Sequence, residues 1–254
     1  MPTFSSRLAG ARLYYQDLGG RGAPIVFLHG MGCSSSHDYP VVANAAPLRG
    51  RRRLLLDLLG SGYSDRPRDF DYTVAAHAVV VAEVLRALDL RSVCLYGHSL
   101  SGAVAIVVAQ RLRGRVRRLV LSEPNLDPGG GNVSRAIASQ RVTRYVHHGH
   151  AALVRSVRSK GQDAFARTLG LALPVAIHRE AVSLVEGTRP SWRQILAGLP
   201  MPRTVLFGAH SLPDPDTRQL PEIGVRVRIV PRAGHGMAQD NPAGLARALA
   251  SAAR

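Results

Sequence analysis

Short apolar runs alternate with longer stretches whose apolar residues recur every three to four positions, a rhythm that covers most of the chain. Residues 11–18 and 24–28 read as strands around the turn Gly19-Gly20-Arg21-Gly22. Leu54–Leu58, Ser92–Leu95 and Arg118–Leu121 are further apolar strands. Between them, residues 73–88 carry helical spacing through Val74, Val81, Val84, Leu85 and Leu88, and a second helix is predicted from Ser99 to about Arg113. The alternation stops after Glu123. From about Asn125 to Gly198 no convincing strand occurs, only helical patterns rich in Ala, Val, Leu and Arg. It resumes with Thr204–Phe207, Val225–Val230 and a terminal helix at roughly 241–253. This order predicts an α/β fold: a mostly parallel, doubly wound sheet covered on both faces, with a helical cap insertion. The expected division is a core of residues 1–124 and 199–254 and a cap of 125–198, hinged at Asp127-Pro128-Gly129-Gly130-Gly131.

Composition adds limits. The chain has 254 residues, 46% hydrophobic and 20% charged, enough for a sizeable core. No apolar run is long enough to span a bilayer, and Met1–Arg7 lacks the apolar stretch of a secretory signal, so a cytoplasmic location is expected. Two cysteines make no disulfide framework. The formal charge of +16 raises nucleic-acid or membrane binding. However, the dense runs Arg49–Arg53 and Arg111–Arg118 each precede a strand, which in a parallel sheet places them at the edge away from ligands. Lys160 is the only lysine, and no aromatic residues interleave with the arginines for base stacking. A solvated basic surface is the expectation, with no nucleic-acid partner and no metal or other cofactor.

The most informative stretch is Tyr96-Gly97-His98-Ser99-Leu100-Ser101-Gly102, where a short strand turns into a helix with a serine at the apex. Such a turn lifts the hydroxyl clear of the sheet and aims a helix N-terminus at the reaction centre. Alone, the string also reads as an ordinary serine helix cap. The turn needs small residues two positions either side of Ser99, and these are Gly97 and Ser101, the latter standing where glycine is usual. Serine chemistry also needs a base, a group that orients the base, and donors for the oxyanion. His235, flanked by glycines just beyond the last apolar strand, is the candidate base. His98 adjoins the nucleophile, but neighbours on a tight turn are expected to point apart. His147, His148 and His150 fall in the insertion with no carboxylate beside them. The Leu100 N–H is one oxyanion donor, and the Met31 N–H, in His29-Gly30-Met31-Gly32, is the expected second. Cys33 could lie near the site, but a catalytic role is not expected.

His29-Gly30, Asp57–Ser64, Gly97–Gly102 and Gly234-His235 with Asp240-Asn241-Pro242 make the chain resemble the α/β-hydrolase family over nearly its whole length. The resemblance implies a structural role for Asp57. It also separates this chain from epoxide hydrolases and haloalkane dehalogenases, which carry aspartate where Ser99 stands. It implies a serine hydrolase acting on an ester, thioester or C–C bond of a small, largely apolar molecule, with a carboxylic ester first. The departure is the acid. The family's usual position, after the strand that follows the cap, holds Ser211, with Asp214 and Asp216 slightly later. Glu123 at the end of the strand before the cap is the other option, and some members place the acid there. It is favoured because a carboxylate at a buried strand end needs a partner. A non-hydrolytic enzyme of the same fold, or a polyanion binder, are the other classes left open.

Overall fold

The computed structural model describes residues 2–254. Eight strands form one sheet: β1 (Thr3–Ser6), β2 (Ala11–Asp17), β3 (Arg21–Leu28), β4 (Arg51–Leu56), β5 (Val93–His98), β6 (Val116–Ser122), β7 (Arg203–Gly208) and β8 (Arg226–Val230). Their order is β1-β2-β4-β3-β5-β6-β7-β8; β2 runs antiparallel to both its neighbours, β1 and β4, and all other neighbouring pairs are parallel.

The period of two explains why the strands read as unbroken apolar runs. In β3, Ile25 and Phe27 enter one core while Val26 and Leu28 enter the other. Cys94 and Tyr96 alternate with Val93 and Leu95 in the same way, as does Val120 with Leu119 and Leu121. Both faces are therefore buried, as crossover helices require. Val74–Ala87 and Leu100–Arg111 cover one face, and Pro242–Ala252 covers the other. Thr73 caps the first of these through its hydroxyl, accepting from the Ala76 N–H at 3.1 Å.

Between β6 and β7 the chain is helical, principally Asn132–Ala138, His150–Ser159, Asp163–Leu171, Pro174–Glu186 and Trp192–Ala197. The first four of these share, with Tyr145, a small core of Ile137, Val157, Leu169 and Ile177, whereas Trp192 and Leu196 pack into the core of the sheet. The insertion is also tied to the sheet layers. His77 on Val74–Ala87 and Glu180 on Pro174–Glu186 meet at 3.1 Å, both buried. His150 turns inward to the Tyr145 hydroxyl at 3.1 Å. The basic runs flank the N-terminal ends of β4 and β6, opposite the edge at which β5 delivers Ser99.

Candidate active site

Ser99 follows the last residue of β5 and precedes the first residue of Leu100–Arg111. Its backbone is left-handed, at φ 52° and ψ −118°, a strained conformation costing about 1–3 kcal/mol. Neighbouring residues hold it there: its N–H donates to the Ser122 carbonyl at 2.9 Å, and its own carbonyl accepts from the Gly102 N–H at 2.8 Å. The glycines have specific causes. A β-carbon on Gly97 would lie 2.2 Å from the Ser101 carbonyl oxygen, and one on Gly102 would lie 2.4 Å from Pro124 Cβ. Ser101, where glycine is usual, is fully buried, and its hydroxyl donates to the His29 carbonyl. The turn that carries Ser99 is thereby fastened to the loop that carries Met31.

That loop is further fixed by His29. Its Nδ1–H donates to the Gly30 carbonyl at 2.8 Å and its Nε2 accepts from the Leu58 N–H at 3.0 Å. Asp57 is fully buried and accepts from the Ser36 N–H (2.9 Å), the Ser36 hydroxyl (2.7 Å) and the Tyr63 N–H (3.0 Å), so it braces two loops. Among the described residues, neither the Met31 N–H nor the Leu100 N–H has a protein acceptor. Both residues adjoin Ser99, Leu100 along the chain and Met31 across a shared cavity.

Glu123, one residue past β6, also has positive φ, at 39°. Its N–H donates to the Leu206 carbonyl at 3.0 Å, and its carboxylate bridges two loops. Oε1 accepts from the Gly208 N–H at 2.9 Å, and Oε2 accepts from His235 Nδ1–H at 2.7 Å. Burial works to raise this carboxyl's pKa, but the hydrogen bonds from His235, Gly208 and the Ser211 hydroxyl outweigh it and leave the group lowered. Asp214 does not reach His235. It accepts from the Asp216 N–H at 2.8 Å, while Asp216 pairs with Arg193 at 2.8 Å. Ser211 stands in the acid position that the resemblance implies, and the carboxylate facing His235 is Glu123 instead.

Ser99 and His235 line one cavity of about 580 Å³ together with Gly30, Met31 and, from the insertion, Val133 and Phe165. No Ser99 Oγ–His235 hydrogen bond is formed among the described residues.

His98 departs from expectation. Its ring does not point away but lines the same cavity, with its centroid 4.6 Å from that of His235. The cause lies in register: His98 is opposite Ser122 on β6, and its Nδ1 lies 3.0 Å from Ser122 Oγ, which in turn lies 2.8 Å from the Tyr96 hydroxyl. Burial, followed by the nearby charge of His235, lowers His98 to about 3, so it is neutral at physiological pH. Cys33 also lines the cavity. Burial and then the charge of Asp38 push its thiol up, which makes it a poor nucleophile.

A family model described as alpha/beta hydrolase fold matches residues 23–165. Mesoderm-specific transcript protein of Mus musculus is 36% identical over 127 residues, which are 48% of this chain and 38% of that protein. A 2-hydroxymuconate semialdehyde hydrolase of Pseudomonas putida is 36% identical over 113 residues, 44% of this chain and 40% of that protein. The match therefore spans about two-fifths of those relatives' length. Among solved structures, an esterase from Exiguobacterium antarcticum superposes with a TM-score of 0.81 at 22% identity, covering 100% of this chain and 99% of that one.

Proposed function

This chain belongs to the α/β-hydrolase fold family, and we propose that it hydrolyses the acyl bond of a small, largely apolar ester through an acyl-enzyme on Ser99. The observation that carries the reading is the 2.7 Å bond to Glu123 made by His235, which lines one cavity with the strained Ser99. In this reading Ser99 Oγ attacks the acyl carbon and its proton passes to His235 Nε2. Glu123 holds Nδ1–H and so fixes the tautomer that leaves Nε2 free to accept. The Leu100 and Met31 N–H groups receive the developing oxyanion. His235 then returns the proton to the leaving alcohol, and water releases the acid by the same steps in reverse. No cofactor enters this chemistry. The helical insertion acts as a cap that sets acyl preference through Val133 and Phe165.

A fluorophosphonate probe combined with p-nitrophenyl esters from acetate to octanoate tests the reading. Wild type is expected to label and to turn over, and Ser99→Ala to do neither. Labelling that survives in Ser99→Ala overturns the nucleophile assignment. Hydrolysis of a C–C bond by the same residues is the second reading, favoured by the likeness to 2-hydroxymuconate semialdehyde hydrolase. Probe labelling of Ser99 without turnover of any ester would select it.

A further inference from the structure

The chain carries 33 Lys and Arg against 17 Asp and Glu. Among the described residues, no lysine or arginine lines the Ser99 cavity, whereas Asp38, Asp163 and Asp240 all do. The wall thus has the opposite charge balance to the surface around it. Asp38 is buried and is held by Gln239 Nε2 at 2.9 Å and His37 Nδ1 at 3.2 Å. Asp240 accepts from the Gly234 N–H at 2.8 Å. Asp163 opens the helix Asp163–Leu171 on the insertion side and is exposed. Of the two imidazoles in the wall, His98 is neutral and His235 already faces the Glu123 carboxylate. The remaining surface is largely apolar, with Met31, Phe165 and Met237.

We propose that this cavity selects acyl groups whose far end is uncharged or cationic and excludes those bearing a second carboxylate. The inference rests on the acyl-hydrolase reading above. A carboxylate entering this space sheds water, meets no guanidinium or ammonium group, and is placed among like charges. A quaternary ammonium meets the reverse situation. The selectivity acts inside the cavity, against the long-range attraction that the basic surface exerts on anions, and part of it is screened by salt because Asp163 and Asp240 are exposed.

Three p-nitrophenyl esters of matched acyl length test this: the 5,5-dimethylhexanoate, the 4-(trimethylammonio)butanoate and the hydrogen glutarate. At low ionic strength the glutarate ester is expected to show kcat/KM at least about tenfold below the neutral ester, and the cationic ester to match or exceed the neutral one. Asp163→Lys should raise the glutarate rate relative to the neutral rate by about threefold or more. The Ser99→Ala protein, titrated calorimetrically with the corresponding p-nitroanilides, reads selectivity without chemistry. Glutarate turnover or binding equal to the neutral compound, or a ratio unmoved by Asp163→Lys, overturns the proposal. The expected binding order with no ester turnover sustains the charge selectivity and overturns the acyl-ester reading instead.

Discussion

Replacing Glu123 by Gln removes one oxygen acceptor from a carboxylate that serves two donors. The Gly208 N–H donates to Oε1 at 2.9 Å and His235 Nδ1–H to Oε2 at 2.7 Å. An amide offers a single oxygen. If that oxygen stays on Gly208, the NH₂ faces Nδ1, the ring proton moves to Nε2, and the base can no longer accept from Ser99. If the amide flips to serve His235, its NH₂ confronts the Gly208 N–H, leaving that donor unpaired at a cost of about 1–3 kcal/mol. The flipped minority also lacks the negative charge opposite the imidazolium that forms during acylation, a charged hydrogen bond of about 1.5–3 kcal/mol. Together these amount to about 2.5–6 kcal/mol, or roughly 10²–10⁴ in kcat at 1.36 kcal/mol per tenfold. The best-studied triad loses about 10⁴ on the equivalent change. The assay is kcat on p-nitrophenyl butyrate, with circular dichroism to show that the fold is kept. Asp214→Asn provides the control, since Asp214 caps the Asp216 N–H. A Glu123→Gln enzyme within tenfold of wild type, or an equal loss from Asp214→Asn, would refute the assignment.

Further expectations follow from the same geometry. His98 is held near 3 against an ordinary 6.5, so the unfolded chain binds its proton first. Its contribution to stability is full above about pH 6.5 and falls away as pH drops towards 3. Urea midpoints measured between pH 7 and 4 should show this loss, and His98→Gln should flatten the curve. His77→Ala strands buried Glu180 and is expected to cost about 3–5 kcal/mol, whereas a loss below about 1 kcal/mol in thermal unfolding would show the pair to be expendable. Ser101→Ala leaves the His29 carbonyl without its hydroxyl donor and should lower the melting temperature, by about 1–3 kcal/mol in stability, while kcat stays within tenfold. Gly97→Ala has no such tolerance, because its β-carbon meets backbone at 2.2 Å; soluble, fully active protein would contradict that clash.

The parallel strands were legible because both their faces are buried, so Leu54-Leu55-Leu56 shows no polar alternation to confuse with a helix. β1 was not legible: Thr3–Ser6 is only four residues long, with Thr3 and Ser5 exposed, and lies on an edge, paired only with β2. The helical turns Ser35–Asp38 and Pro40–Asn44 are too short for a period to appear. Ser99, the Met31 loop and His235 stood out because each lies at a strand end beside glycine. Local pattern did not decide between Glu123 and Asp214, since that depends on which loop curls towards β8. The structure sends Asp214 to a helix start and Glu123 to His235. His98 was misjudged because adjacency along a turn says nothing about the pull of Ser122 on the next strand.

The insertion departs one residue after Glu123 and returns at β7, and both ends are pinned. Glu123 N–H is bonded to Leu206, Arg193 N–H to Leu126, and Gly129 N–H to Val185. Since the ends are already neighbours, the chain between them is a closed loop whose length costs little: doubling it adds only about 0.6 kcal/mol of closure entropy. Closure entropy therefore permits exchange of the segment, provided the replacement again offers a partner to the buried His77, which Glu180 now supplies. A foreign helical segment spliced between Leu126 and Arg193 would leave Ser99, Glu123 and His235 in the segments that follow β5, β6 and β8, while a splice made at Glu123 itself would part its carboxylate from Gly208 and His235. Exchange of this segment would rewrite the part of the cavity wall formed by Val133 and Gly161–Phe165 and leave the wall around Ser99 and His235 in place.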